Sequence, residues 1–226
     1  MTTPQYRTVT YDEVSRNHSI LSFLHQGDRS LGIMGFTEHS LPHATIVAHG
    51  AGRILTQLGY SEREVELARI TGFMHDIGNM VNRVDHAQSG AIIALRILEH
   101  MYMPPEEIAT IVSAIGNHDE ATAVPVHSIA AAVILADKSD VRRSRVRTQN
   151  PATFDIHDRV NYSVVKAEVK IDTVNSTCTL DIQVDKEVTP VFEFFEIFLS
   201  RMMLCRKASD FLKLRYSLVV NGFPMI

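Results

Sequence analysis

Six residues in the first 140 positions combine imidazole and carboxylate groups at intervals that suit a metal site. They are His43, the adjacent pair His75 and Asp76, His86, His118 and Asp137. The chain has 11 histidines, and seven of them lie between positions 39 and 118. Imidazole together with carboxylate favours Fe, Mn, Zn, Co or Ni over Ca or Mg. Six such groups exceed the needs of one tetrahedral structural site, which leaves room for two ions or for open coordination positions.

Two of these positions carry more information than an isolated histidine does. Adjacent residues of a helix point about 100° apart, so His75 and Asp76 can reach one ion only where a helix is ending, and Gly78 allows such an end. Asp137 follows the apolar run Ile134-Leu135-Ala136. A carboxylate buried on such a helix must be paired or bind a metal. We therefore expect both positions to belong to the site.

Helices are the elements that must position these residues, since apolar residues recur at helical spacing through the first 150 positions. Capping-box patterns begin helices at Thr10 and at Ser61. Gly27, Gly32 and Gly35 predict a loop that extends to Glu38. The predicted helices cover about 10–26, 41–58, 62–76, 86–103, 105–115 and 128–147. The fold class is therefore mainly α, with an all-helical domain over 1–150.

The pattern changes after Asn150-Pro151. Residues 165–172 and 178–185 alternate between apolar and polar side chains around a turn at Asn175-Ser176, which predicts a two-stranded hairpin. Thr189-Pro190 begins an aromatic-rich helix, and residues 214–220 alternate again. The C-terminal part, 151–226, is thus predicted to be a small antiparallel ββαβ appendage, whose apolar helix face favours packing or a homodimer.

The sequence resembles the HD-domain superfamily of metal-dependent phosphohydrolases over roughly residues 36–146. The resemblance rests on His43, on His75-Asp76 in MHDIGN, and on Asp137 in ILADKSD. It implies an HD-type helical bundle in which these four residues hold one divalent ion. In binuclear members two further histidines hold a second ion, and here they correspond to His86 and His118. Asp76 would then bridge the two ions.

The resemblance also implies a reaction. We expect hydrolysis of a phosphate ester or anhydride of a nucleotide or another small phosphorylated molecule, with a metal-bound water as the nucleophile. A free carboxylate oxygen of Asp76 or Asp137 would take the proton. Two alternatives remain: a diiron oxygenase built on the same scaffold, and a non-catalytic module that binds a nucleotide or a metal. Hydrolysis of cyclic di-GMP is not expected, because the chain has neither a paired His-His at His118 nor a Gly-Tyr-Pro segment.

Three residues are candidates for contact with the substrate phosphate. Asn79 stands where related sequences often carry lysine, and its amide can still donate a hydrogen bond. Lys138 and Arg142 follow Asp137 and could meet the phosphate oxygens. For Arg142 and its neighbouring arginines, the alternative is a solvated helix end. His39, four residues before His43, is either an extra ligand, a support for a ligand or a loop histidine.

The composition limits the partners. The net charge of -4 gives no general attraction to nucleic acid or to an anionic membrane. No apolar run is long enough to span a membrane, and the polar N-terminus predicts no secretory signal. Cys178 and Cys205 lie far apart, which is typical of a reducing cytoplasm. We therefore expect a cytoplasmic protein whose partner is a small phosphorylated substrate.

Overall fold

The computed structural model describes residues 5–148 and 150–225. Within this part, the chain folds first into helices and then into a small sheet covered by further helices, as the mainly α prediction required. The helices before residue 140 are α1 (Tyr11–Ser15), α2 (His18–Ile33), α3 (Leu41–Gln57), α4 (Glu62–Met74), α5 (His86–His100), α6 (Pro105–Gly116) and α7 (Ser128–Lys138), with a 3-10 turn at Ile77–Met80 between α4 and α5.

The predicted helix starts at Thr10 and Ser61 are confirmed. In each capping box the hydroxyl accepts the backbone N–H three residues on, and that residue's carboxylate, Glu13 or Glu64, accepts the backbone N–H of the cap. Two of the orphan donors at each helix start are satisfied in this way. Helix α3 stops at the predicted place because Gly59 takes a left-handed φ of 77°.

The prediction of a single helix over 10–26 is wrong, because the chain forms two helices there. The side chain of Asn17 accepts hydrogen bonds from the backbone N–H groups of Ser19 and Ile20, so it caps the start of α2. Arg16 and Asn17 then separate the short α1 from α2.

The predicted loop from Gly27 is also wrong, since α2 continues through Gly27 and Gly32 to Ile33. A Cβ on Gly27 would lie 3.1–3.2 Å from atoms of Asn79 and Met80. This glycine therefore marks the place where α2 packs closely on the 3-10 turn that follows His75-Asp76. This contact joins residues that are about 50 positions apart, so it cannot be predicted from the local pattern of glycines and apolar residues.

Helix α7 is shorter than the predicted 128–147, because it ends at Lys138 and only a 3-10 turn forms at Arg143–Arg145. Side-chain contacts hold this segment in its irregular path. The carbonyl of Asp140 accepts from Arg145 Nη1 at 2.9 Å, and the carboxylate of Asp140 accepts from Arg142 Nε at 2.9 Å. The arginines therefore do not form a solvated helix end.

The C-terminal part contains the predicted hairpin, helix and third strand, together with an additional helix and a short fourth strand. Its elements are α8 (Ile156–Ser163), β1 (Val164–Asp172), β2 (Thr177–Val184), α9 (Val191–Phe211), β3 (Arg215–Val220) and β4 (Phe223–Pro224). The sheet order is β1-β2-β3-β4. The all-antiparallel prediction needs correction, because β2 and β3 pair in parallel while β1-β2 and β3-β4 are antiparallel. Helix α9 is the crossover that a parallel pair requires.

Helix α9 joins the two parts of the chain by packing on α7. Its side chains Phe194 and Phe198 are fully buried, and the buried residues of both parts form one continuous apolar cluster. The boundary at residue 150 remains a prediction. In the described residues, no helix has the length and apolarity that a membrane span needs.

Candidate metal centre

The structure brings all six predicted ligand residues together at one end of the helical part. His43 lies in the first turn of α3, His75 ends α4 and Asp76 follows it, His86 begins α5, His118 follows α6, and Asp137 lies in the last turn of α7. Their residue exposures range from 0% for His75 to 9% for Asp137. All six residues lie within two residues of a helix end, which lets groups from different helices converge on one point.

Two glycines allow this convergence. A Cβ on Gly72 would lie 2.9 Å from the backbone of Ala48, so α4 crosses α3 at close range and brings His75 to His43. A Cβ on Gly78 would lie 1.9 Å from the carbonyl oxygen of His86. Only glycine therefore permits the turn after Asp76 to contact the start of α5.

Four donors form what we call the first set: His43, His75, Asp76 through Oδ2, and Asp137 through Oδ1. His43 Nε2 lies 3.3 Å from His75 Nε2, 3.6 Å from Asp76 Oδ2 and 3.4 Å from Asp137 Oδ1. His75 Nε2 lies 3.4 Å from Asp76 Oδ2 and 3.7 Å from Asp137 Oδ1. Ligand atoms about 2.1 Å from a shared ion are about 3.0–3.4 Å apart at ordinary coordination angles, so these separations suit one ion.

Three donors form the second set: Asp76 through Oδ1, His86 and His118. Asp76 Oδ1 lies 3.4 Å from His86 Nε2 and 3.8 Å from His118 Nε2, and these two ring nitrogens are 3.2 Å apart. The two oxygens of Asp76 therefore face different histidine pairs. This is the arrangement that a carboxylate bridge between two ions requires.

Hydrogen bonds at Nδ1 orient all four rings. A carbonyl or carboxylate oxygen only accepts, so Nδ1 is the donor in each ring and Nε2 is directed at the centre. His43 Nδ1 donates to the carboxylate of Asp140 at 2.7 Å. The other three rings donate to backbone carbonyls: His75 to Gly72 at 2.7 Å, His86 to Arg83 at 3.0 Å and His118 to Ile115 at 2.6 Å.

The two sets differ in charge. Burial lowers the pKa of His75, but the charges and hydrogen bonds of Asp76 and Asp137 outweigh it and raise that pKa to about 10. Burial and the neighbouring cations lower the pKa of His86 to about 4, and burial also lowers the pKa of His118. The first set thus concentrates negative charge, whereas the second set consists mainly of neutral imidazoles.

The carboxylates of the centre stay ionised despite their burial. Burial alone would raise the pKa of Asp76, but the charge of His75 outweighs burial and brings that pKa well below its usual range. For Asp137 the opposing charge is that of Lys138, whose Nζ contacts Oδ2. Ionised carboxylates in a buried site need cations, which fits a site for divalent metal.

Arg83 lies directly beside the second set. Its Nη1 is 3.3 Å from His86 Nε2 and 3.8 Å from Asp76 Oδ1. The same nitrogen contacts Asn79 Oδ1 at 3.4 Å. A guanidinium group among these donors repels a second cation, so we expect the second set to bind its ion more weakly than the first.

The three residues expected to contact phosphate differ in position. Lys138 lines the cavity beside the cluster. Asn79 is buried next to Arg83, and within the described residues its amide nitrogen has no hydrogen-bond partner. Arg142 does not line this cavity, and its guanidinium pairs with Glu38 and Asp140. The placement of Arg142 does not support the expected contact with phosphate.

Sequence reasoning missed several cavity residues, of which Arg83, Arg145 and Arg201 are the cationic ones and Glu120 is a carboxylate. Arg83 precedes His86 by only three residues, so proximity in sequence was an available signal. Asp140, three residues after Asp137, could have been found in the same way. No local pattern points to Arg201, because α9 reaches the cavity through tertiary packing.

His39 lies in the loop before α3 and also lines the cavity. Its Nδ1 donates to the carbonyl of Thr37 at 2.8 Å, and its ring packs edge-on against His43 at a centroid distance of 5.6 Å. Burial and the charge of Arg145 hold the pKa of His39 well below its usual value. It is thus a neutral loop histidine that supports a residue of the first set.

Comparison with known proteins agrees with this site. Residues 38–147 match the model of the HD domain family, and this segment includes all six residues of the cluster. The chain is 29% identical over 184 residues to MJ1020, an uncharacterized protein of Methanocaldococcus jannaschii, in an alignment that covers 71% of this chain and 70% of the relative. Residues 38–147 therefore match the HD domain family, which agrees with the resemblance to the HD superfamily of metal-dependent phosphohydrolases. Divalent metals bind in HD domains, and the buried His/Asp cluster provides groups that could hold them.

Proposed function

We propose that the protein is a metal-dependent phosphohydrolase that cleaves a phosphate ester or anhydride of a nucleotide or another small phosphorylated molecule. One observation carries the proposal: six buried residues supply two sets of donors that share the carboxylate of Asp76. The HD domain at residues 38–147 supports the same class of reaction.

The first set would hold one divalent ion, and the second set would hold another between Asp76, His86 and His118. The donor chemistry favours Fe, Mn, Zn, Co or Ni. When bound, such an ion polarises a phosphoryl oxygen and supplies a water of lowered pKa. The buried carboxylates and the fixed ring orientations are the features of this chain that fit the ions.

The residues around the cluster suit an anionic substrate. Lys138, Arg83 and Arg145 line the cavity together with the ligand residues. Arginine and lysine beside a metal centre bind phosphoryl oxygens and stabilise the charge that develops on them during transfer. Hydrolysis is preferred over oxygen chemistry on the same scaffold because these cations suit a phosphorylated substrate.

Asp137 is the better candidate of the two carboxylates for taking the proton of the attacking water. Both oxygens of Asp76 face histidines, so a bridging Asp76 has no free oxygen. Asp137 directs Oδ1 at the first set and keeps Oδ2 outside it, where Lys138 Nζ contacts it. Lys138 would give its proton to the leaving oxygen and then take up the proton that Asp137 Oδ2 accepted from the water, so that both groups regain their starting states.

The homodimer expected through the C-terminal part is also a proposal. Helix α9 leaves Phe192, Leu199 and Met203 exposed at 77%, 55% and 46%, and their spacing places them on one helix face. A second copy would bury this face. Sedimentation of the protein beside Leu199→Asp tests the idea, and a monomer in both samples would contradict it.

The function is tested by loading metal-free protein with Mn, Fe, Co, Ni or Zn and assaying phosphate release. The panel should contain phosphomonoesters, nucleoside polyphosphates and a phosphodiester, and cleavage of the phosphodiester is measured as the monoester formed, because it releases no inorganic phosphate. Oxygen uptake is measured on the Fe-loaded sample. We expect phosphate release that is lost with chelator and in Asp76→Ala, while the helical circular dichroism is unchanged. Oxygen uptake without phosphate release, or no turnover with any metal, would contradict the proposal.

A further inference from the structure

One wall of the cavity beside the cluster comes from outside the HD domain. Arg201 lies in α9 of the C-terminal part, yet it lines the same space as Asp76, His86, His118 and Asp137. Its guanidinium rests on the ring of the buried Phe198, with Cζ 4.6 Å from the ring centroid. A fixed cation is thus presented to the metal centre by a helix that the HD domain itself does not contain.

Glu120 closes the cavity against this arginine. Arg201 Nε donates to Glu120 Oε1 at 2.5 Å, and Ser200 Oγ donates to Glu120 Oε2 at 3.2 Å. Glu120 belongs to the segment between α6 and α7, two residues after His118. Both carboxylate oxygens of Glu120 are therefore held by consecutive residues of α9.

The closed cavity is too small for a phosphoryl group. The space between its walls is about 20 Å³, which is room for about one water molecule. The side chains of Arg201 and Glu120 keep exposures of 24% and 28%, whereas those of Asp76 and Asp137 keep 5% and 10%. The ion pair and Arg83, whose side chain keeps 26%, thus form the side of the cavity that faces solvent.

The charges of the cavity walls indicate what enters. Four cations line it, namely Arg83, Lys138, Arg145 and Arg201, against the carboxylates of Asp76, Glu120 and Asp137. Asp76 and Asp137 face the histidines. Of these three carboxylates, Glu120 is therefore the one that pairs with Arg201. A phosphate presents oxygens to a guanidinium fork as a carboxylate does, and it can replace Glu120 there.

We propose that Arg201 binds the terminal phosphate of the substrate, and that this phosphate takes the place of the Glu120 carboxylate when the cavity opens. The inference rests on the proposed phosphohydrolase function and adds to it a specificity residue from the C-terminal part. Glu120 is a competitor for Arg201, so the two members of one ion pair act on phosphate binding in opposite directions.

The test uses inorganic phosphate as the probe, titrated calorimetrically into the metal-loaded full chain. Arg201→Ala should weaken phosphate binding about tenfold or more, because a charge-assisted hydrogen bond is lost. Glu120→Gln should strengthen it several-fold, and Arg201→Lys should restore part of the loss. Arg206→Ala, which removes an exposed arginine of the same helix, is the matched control and should bind as the wild type does. Metal content is measured on every sample and should not change.

A purely structural ion pair gives a different result, since both substitutions would then shift phosphate binding in the same direction or leave it unchanged. Either outcome would overturn the inference. If the metal-loaded wild type binds phosphate and hydrolyses a phosphate compound, but Arg201→Ala binds phosphate equally well, this inference fails while the proposed function stands. If the metal-loaded wild type binds no phosphate and hydrolyses no phosphate compound, the proposed function fails and the inference fails with it.

Discussion

The two donor sets of the metal centre share one carboxylate but differ in their surroundings. The first set has two carboxylates, a third carboxylate, Asp140, behind His43, and a histidine whose pKa is raised to about 10. The second set has one carboxylate oxygen, two histidines of lowered pKa and the guanidinium of Arg83 next to them. The two sets are therefore expected to differ in affinity, because the number of donors and the neighbouring charges set the free energy of binding a cation.

The largest expected effect separates the sets by removing one histidine from each. His43→Ala should lose the first ion and reduce phosphate release by about a thousandfold or more, because metal-bound water would be the nucleophile. His118→Ala should keep about one ion per chain, because the four donors of the first set remain. Elemental analysis and the phosphatase assay measure both, with the exposed His100→Ala as the control. Loss of both ions in His118→Ala would show that the sets are not separable.

A smaller effect on metal affinity is expected at Asp140, whose carboxylate accepts a hydrogen bond from His43 Nδ1 at 2.7 Å. Asp140→Asn should weaken binding of the first ion by about ten- to a hundredfold, as partners of ligand histidines do. Competition with a chelator measures the affinity. Glu38→Gln is the matched control, since Glu38 pairs with Arg142 as Asp140 does, whereas the Nδ1 of His43 donates to Asp140. Equal losses in both variants would assign the effect to the arginines rather than to His43.

Arg83 should affect only the second set. Replacing it in Arg83→Ala removes a cation 3.3 Å from His86 Nε2. We expect binding of the second ion to strengthen by about tenfold, which corresponds to about 1.4 kcal/mol. The exposed Arg96→Ala on α5 should change nothing. Weaker binding of the second ion in Arg83→Ala would mean that Arg83 supports the set instead of competing with it.

The smallest expected effect is a difference in protons released. With a pKa of about 10, His75 is protonated at pH 7 in the metal-free protein, so binding of the first ion should release about one proton. His86, with a pKa of about 4, is already neutral, so the second ion should release almost none. As pH rises toward 10, the proton release of the first ion should disappear and its affinity should increase. Calorimetry in two buffers of different ionisation enthalpy measures the count, and equal counts for both ions would contradict this assignment.

The sequence contained enough to predict the helices and the six residues that the structure brings together, because capping boxes and helix-end histidines are local signals. The continuation of α2 through Gly27 could not be predicted from the sequence, because it depends on packing against Asn79. Helix α8 was missed because its eight residues provide little periodicity, and among them Val160 is the apolar side chain that is fully buried. The parallel pairing of β3 was missed because alternation predicts a strand but not its partner.

The cationic residues of the site show the same limit. Arg142 was predicted to meet the phosphate, but the helix ends at Lys138 and it is Arg145 that lines the cavity. Arg201 reaches the cavity only because α9 packs on α7. Ligands at helix ends can be recognised along the chain, whereas groups that select the substrate depend on how distant elements pack.

The most direct test of two unequal sets that share Asp76 is a titration of metal-free protein with Mn²⁺, followed by electron paramagnetic resonance. We expect the first equivalent to give the spectrum of an isolated ion. The second equivalent should bind more weakly and convert that spectrum into one of a spin-coupled pair, since a carboxylate bridge places the two ions close together. Saturation at one equivalent, or two equivalents of equal affinity without coupling, would contradict the account.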